Sequence, residues 1–173
     1  MDLGTPPLFS LINLKRKAHF RNSKQVMHIK NCYHLLIWRG KLLFRFNDGK
    51  PFPYMMNQRT KFIKKLTTYI FLGEFENKNV FLWDMSDSRD VLGNTGQIGS
   101  FNDADRNYHP DLPKDTYFCD LRNLLPVLNS KYANLCATAK GMYEWQKRVN
   151  FCQSCGGKLS PEKAGWELSL IHI

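Results

Sequence analysis

Residues 151–159 read FCQSCGGKL, and in this stretch the pair Cys152 and Cys155 has the types and spacing to do chemistry. Two intervening residues let both thiolates reach one metal ion at about 2.3 Å from a tight turn. The glycine behind the second cysteine lets backbone amides turn in toward the sulfurs. Such a turn is half of a tetrahedral structural zinc site, which needs a second pair of ligands downstream. After Cys155 the strong ligand types are Glu162, Glu167 and His172. Two further readings stand beside half a zinc site. A redox pair belongs at a helix N-terminus just after a strand, where the dipole lowers a thiol pKa. This pair instead follows a predicted helix and is trailed by Gly156, Gly157 and Pro161. An idle pair of thiols is the third reading.

Other constellations are thin. Cys32, Cys119 and Cys136 lie in apolar strand or helix contexts and read as small buried fillers. His34 falls in a strand and His109 in a long loop, with no nucleophile or metal-binding spacing beside either, so both read as core or surface histidines. No phosphate-cradling or dinucleotide glycine motif is present. The glycines of residues 93–99 have no helix behind them and read as a flexible loop. Aromatic residues mostly alternate within strands, the pattern of a core rather than of a base-stacking platform.

The elements that must position the cysteine pair follow from patterning. Residues 33–46 predict two strands around Arg39-Gly40, and residues 69–85 predict a second hairpin with a turn at 76–79. The prolines of residues 48–55 predict a loop, residues 61–65 a short polar link, and residues 86–114 a long turn-rich surface loop. A strand from Thr116 leads into a short helix over 122–128. A longer helix over 131–149 follows, with Ser130 as its N-cap and Tyr132, Leu135, Ala139, Met142 and Trp145 near one face. The fold class is therefore α+β. An irregular basic arm (1–25) precedes an N-terminal domain of β-hairpins (26–128), a connecting helix (129–150), a cysteine-bearing piece (151–167) and a closing tail (168–173).

The chain has 173 residues and a formal net charge of +10. Residues 1–65 hold 14 Lys and Arg against Asp2 and Asp48, so the excess lies wholly in the front half. This predicts a solvated basic face first and a nucleic-acid surface second, because the cations form no run of five or more. No apolar run approaches the roughly 18–20 residues that a membrane-spanning helix needs. Five cysteines, an odd number with only one close pair, argue against a disulfide framework and for a reducing compartment. At the front an apolar stretch precedes the basic cluster, the reverse of a secretory signal.

The combination of motifs resembles the NADH pyrophosphatases of the Nudix superfamily. The resemblance rests on Ile37-Trp38-Arg39-Gly40-Lys41, on residues 120–128 (DLRNLLPVL), on Ala137-Thr138-Ala139 with Trp145, and on residues 151–156 (FCQSCG). It covers roughly residues 24–167, with Gln146 standing where the family usually has a histidine. It implies a hydrolase that cleaves the diphosphate of NAD(H) to nicotinamide mononucleotide and AMP, with NAD-capped RNA as a substrate of some relatives. It also implies Mg2+ or Mn2+ held by the glutamates of a Nudix box, a structural Zn2+ whose first two ligands are Cys152 and Cys155, and a homodimer. The compartment would be intracellular, the cytoplasm ahead of mitochondria and peroxisomes.

The chain departs from that pattern in two ways. Its five glutamates, Glu74, Glu76, Glu144, Glu162 and Glu167, form no Nudix box. The family's third and fourth zinc cysteines would fall at Leu170 and Ile173. The closing LSLIHI resembles a translated sequencing-adapter peptide, so residues 168–173 are expected to be a non-native tail. The expectation is the N-terminal domain and half the zinc ribbon of an NAD(H) diphosphatase, with no catalytic residues of its own. The alternative is a non-catalytic, zinc-dependent nucleic-acid-binding module.

Overall fold

The computed structural model describes residues 14–22, 26–60, 62–93 and 106–170. Most of the basic arm, most of the glycine cluster at 93–99, and residues 171–173 with His172 and Ile173 lie outside the described residues. The fold is α+β, a mixed sheet with a helix packed on one face.

Strand β1 (Cys32–Trp38) and strand β2 (Lys41–Asn47) form the first hairpin, with Ile37 opposite Leu42 and Trp38 opposite Lys41. Arg39 and Gly40 both have positive φ, 47° and 82°, the signature of a two-residue primed turn. Beyond that tip the two strands part. Residues 50–56 enter the gap: strand β3 (Lys50–Pro53) pairs with β2, and Met56 bridges to His34 of β1. This corrects the loop expected at 48–55. Asp48-Gly49 makes another primed turn, with φ 49° and 75°. The prolines are tolerated because the ladder alternates. The Tyr54 amide donates to the Leu43 carbonyl at 2.9 Å, and Pro51 and Pro53 fall at positions whose missing N–H would face away from β2.

Strands β4 (Tyr69–Phe75) and β5 (Lys78–Asp84) form the next hairpin around Glu76-Asn77. Its turn is two residues rather than the four expected, since Lys78 and Asn79 already belong to β5. Strand β5 then lies parallel to β1, with Cys32 opposite Asn79 through Ile37 opposite Asp84. Strand β6 (Thr116–Cys119) takes the other edge of β2. The path across the sheet is β3-β2-β1-β5-β4. Residues 34–38 are buried without alternation because both faces of the sheet are covered.

One face carries Leu35, Ile37, Leu42, Phe44, Ile70 and Leu82 against helix α2 (Ser130–Arg148). Asn129, not Ser130, caps α2: its side chain accepts the Lys131 amide at 2.9 Å. The buried side of α2 is Ala133, Leu135, Cys136, Ala139 and Tyr143. Tyr132 and Met142 only flank it, and Trp145 stands outside it. Before it, helix α1 (Leu121–Leu124) is capped by Asp120 and is shorter than the predicted 122–128. The opposite face packs Leu36, Trp38, Phe71, Phe81 and Trp83 under Val26 and Ile63. The expected polar link at 61–65 thus contains a fully buried Ile63 in a 3-10 turn, Ile63–Lys65.

Lys15 exchanges two backbone hydrogen bonds with Glu74, so the chain near residue 15 runs along the outer edge of β4. Gly73, at φ 132° beside a register shift, makes this approach possible: a Cβ there would stand 2.3 Å from the Lys15 carbonyl oxygen. The Gly73→Ala variant should lose about 2 kcal/mol of unfolding free energy and expose the 14–17 amides to hydrogen exchange. Gly141, in α2 with open space around it, is the contrast. Gly141→Ala should gain about 0.5–1 kcal/mol, and both values are read by denaturant titration.

His34 accepts a hydrogen bond at Nδ1 from Trp83 Nε1 at 3.0 Å. Burial first, and the Arg59 guanidinium second, lower its pKa from 6.5 to about 4. The unfolded chain therefore takes up a proton that the folded chain refuses, and stability should fall as pH drops from 6.5 toward about 4. Equilibrium unfolding across that window should show a shallower decline for His34→Gln than for the parent chain.

Candidate metal centre

Helix α2 hands the chain directly to the cysteine turn. The Leu159 amide donates to the Asn150 carbonyl at 2.9 Å, and Phe151 bridges Lys158, so the two ends of the turn are held together. Inside it the Cys152 amide donates to the Gly157 carbonyl at 2.8 Å, and the Gly156 amide donates back to the Cys152 carbonyl at 2.9 Å. Backbone amides of Cys155 and then Ser154 face the Cys152 sulfur and hold its thiol below the ordinary cysteine range. Cys155 is exposed and Cys152 partly so. Amides aimed at a sulfur in this way favour its charged form.

Strand β7 (Leu159–Glu162) and strand β8 (Glu167–Leu170) continue as a hairpin with Leu159 opposite Leu170. Residues 168–170, placed in the closing tail by sequence, are therefore ladder partners of residues 159–161. A Cβ at Gly157 would meet Leu170 Cδ2 at 2.8 Å and Cys155 Sγ at 3.4 Å. Leu170 thus leans on the cysteine turn at the position where the resemblance calls for a third thiolate. Among the described residues no three His, Cys, Asp or Glu side chains come together. The described residues offer zinc two thiolates, short of four-coordinate closure.

The hairpin is fixed to the sheet and to α2 by contacts that the motifs do not announce. Trp166 Nε1 donates to the Phe71 carbonyl at 2.6 Å, and Gln146 Nε2 donates to the Gly165 carbonyl at 2.6 Å. Arg21 stacks on the Trp166 ring at 3.6 Å. Gly165 is buried against Ile70. The signal available in the sequence was a tryptophan in a short polar segment, too large to leave in water without a partner.

The remaining signature residues are architectural. Trp38 is buried, with its indole N–H donating to the Ser88 carbonyl at 3.3 Å. The Gly40 carbonyl accepts from Lys140 of α2 at 2.7 Å, and buried Lys41 reaches Asn107 Oδ1 at 2.8 Å. Asp120 caps α1 and pairs with Arg122 at 2.8 Å. His34 and His109 are core histidines, 6% and 3% exposed. Four of the glutamates are engaged in separate ion pairs: Glu74 with Lys15 and Lys17, Glu76 with Lys131, Glu144 with Lys140 and Arg148, and Glu167 with Lys163.

Residues 32–145 match the family described as an NADH pyrophosphatase-like rudimentary NUDIX domain. No curated protein matches the chain.

The two classes of thiol should separate chemically. Iodoacetamide at neutral pH should label Cys152 and Cys155, whereas Cys136, fully buried with its thiol pushed up to about 12, should react only after unfolding. Ser154→Pro removes one amide from Cys152 and should move its alkylation profile to higher pH. Peptide mass spectrometry checks both. A parent profile centred at or above the free thiol's value of about 8.5 would show that the amides do not act on the sulfur.

Proposed function

The chain belongs to the NADH pyrophosphatase-like rudimentary NUDIX family, and from that premise we propose that it is the supporting N-terminal portion of an NAD(H) diphosphatase. In this reading the parent enzyme hydrolyses the diphosphate bond of NAD(H) to nicotinamide mononucleotide and AMP, and that of NAD-capped RNA to nicotinamide mononucleotide and a 5′-monophosphate RNA. Mg2+ or Mn2+ bound elsewhere in the parent would polarise the phosphoryl group. The residues of this chain perform no step of that reaction. They supply a rigid platform, a surface for homodimer assembly, and the first two ligands of a structural zinc ribbon. An intracellular, cytoplasmic setting suits free thiols at Cys152 and Cys155.

The observation that carries the reading is the hairpin that continues the cysteine turn, anchored by Trp166 to the sheet of the matched domain and by Gln146 to helix α2. A free redox motif has no need of that anchorage, and a zinc ribbon that sets the angle of a following domain does. The ion pairs of Glu74, Glu76, Glu144 and Glu167 support structural rather than metal-binding roles for these four carboxylates. The nucleic-acid reading finds less support. Several front-half cations are engaged within the fold: Lys15 and Lys17 on Glu74, Lys41 on Asn107, Arg45 on Asp115, and Arg21 on Trp166.

Assayed with NADH or NAD+ and Mg2+ or Mn2+, the 173 residues should release no AMP. Robust turnover would sink the supporting role. A second measurement tests the ribbon. Leu170→Cys should bring a third thiolate to the turn and tighten zinc binding by about tenfold or more, seen as cobalt-thiolate absorption and competition by zinc. Unchanged affinity would remove position 170 from the metal site.

A further inference from the structure

On the face of the sheet away from α2, a cavity of about 280 Å3 opens beside the start of β1, lined by Lys30, Cys32, His34, Asn57, Arg59, Phe81 and Trp83. Two of its N–H donors lack an acceptor. His34 gives Nδ1 to the Trp83 indole, so in the neutral ring the single proton sits on Nε2, which has no partner among the described residues. His34 is 6% exposed and lines the cavity. Arg59 lies with its guanidinium carbon 4.7 Å from the centre of the Trp83 ring, and its Nε is buried without a hydrogen-bond partner.

The charge around these donors has one sign. Among the described residues Arg59 and Lys30 line the space and no Asp or Glu does, and Lys78 stands next to it, donating to Asn57 Oδ1 at 2.8 Å. Burying the Arg59 Nε–H without an acceptor is unfavourable, and a second cation lining the same space, Lys30, adds to that. An oxyanion relieves both, accepting from His34 Nε2 and from Arg59 while neutralising charge. A phosphate dianion answers two cations better than a carboxylate does. The walls Phe81 and Trp83 are flat and apolar. The volume holds one ring with its phosphate and excludes a dinucleotide.

We propose that this cavity is a binding site for the phosphate group of a small aromatic phosphate monoester, held by Arg59, Lys30 and the His34 Nε2–H. The site is separate from the cysteine turn and independent of the diphosphatase reading.

The test is an NMR titration of the whole chain with phenyl phosphate, inorganic phosphate and benzyl alcohol. The signals followed are the Trp83 indole N–H, the His34 ring and the amides of residues 30–34 and 57–59. Expected are saturable shifts confined to these signals, tightest for phenyl phosphate, weaker for inorganic phosphate and absent for benzyl alcohol. Arg59→Gln should weaken phenyl phosphate by about tenfold or more, and rim-exposed Lys30→Ala by a smaller factor, with the remaining spectrum unchanged. Absence of saturation with either phosphate, equal response to benzyl alcohol, or undiminished binding in both variants overturns the proposal. Equal affinity for both phosphates overturns its aromatic half.

Discussion

The parallel ladder between β1 and β5 is the constraint from which the rest of this structure hangs. Each strand belongs to a hairpin, and the six paired positions from Cys32–Asn79 to Ile37–Asp84 join the two hairpins at their inner strands. A parallel pair needs a long connection between its strands and cover on both faces. The connection here is the excursion through β3, the Ile63 turn and β4, and it supplies much of the cover for one face. Helix α2 supplies the other, pinned at its end by Lys147 on Asp84 and by Tyr143 on Ser86.

The strongest sequence signatures in the matched region serve this arrangement rather than chemistry. The Trp38-Arg39-Gly40-Lys41 tip buries a tryptophan under one face and offers the Gly40 carbonyl to Lys140 on the other. A Cβ at Gly40 would come within 2.9 Å of Glu144, so the tip and α2 constrain each other's residues. Asp120 and Arg122 set the start of α1, which turns the chain toward α2. Motifs of this kind mark a family because they fix a shape on which other parts are mounted.

Much of this was legible in the sequence. Two hairpins, the strand at Thr116, the long helix and the cysteine turn follow from alternation, helical period and a two-residue cysteine spacing, all short-range signals. Strand β3 was hidden because Pro51 and Pro53 outweighed the Asp48-Gly49 turn. Their harmlessness depends on which edge faces β2, and that is a tertiary fact. The β1–β5 pairing joins residues 47 positions apart, and no local pattern encodes it. The cavity of His34, Arg59 and Trp83 escapes for the same reason, its members lying on three separate stretches of chain. Trp166 shows the intermediate case: its size demanded a partner, and only the fold named the Phe71 carbonyl.

The one-residue bridges at the two margins of the sheet have a colloidal consequence. Strand β4 ends the sheet on one side, and Lys15 occupies its hydrogen-bonding groups at Glu74. On the other side Asn107 does the same for β6 at Phe118. Bare strand margins recruit strands from other molecules and seed fibrils. Here stretches lying outside the strands occupy those margins, and at β4 two lysines converge on Glu74 and set charge beside the join. The segments that look least structured in the sequence thus each block one position of a margin at which a neighbouring copy's strand would otherwise pair.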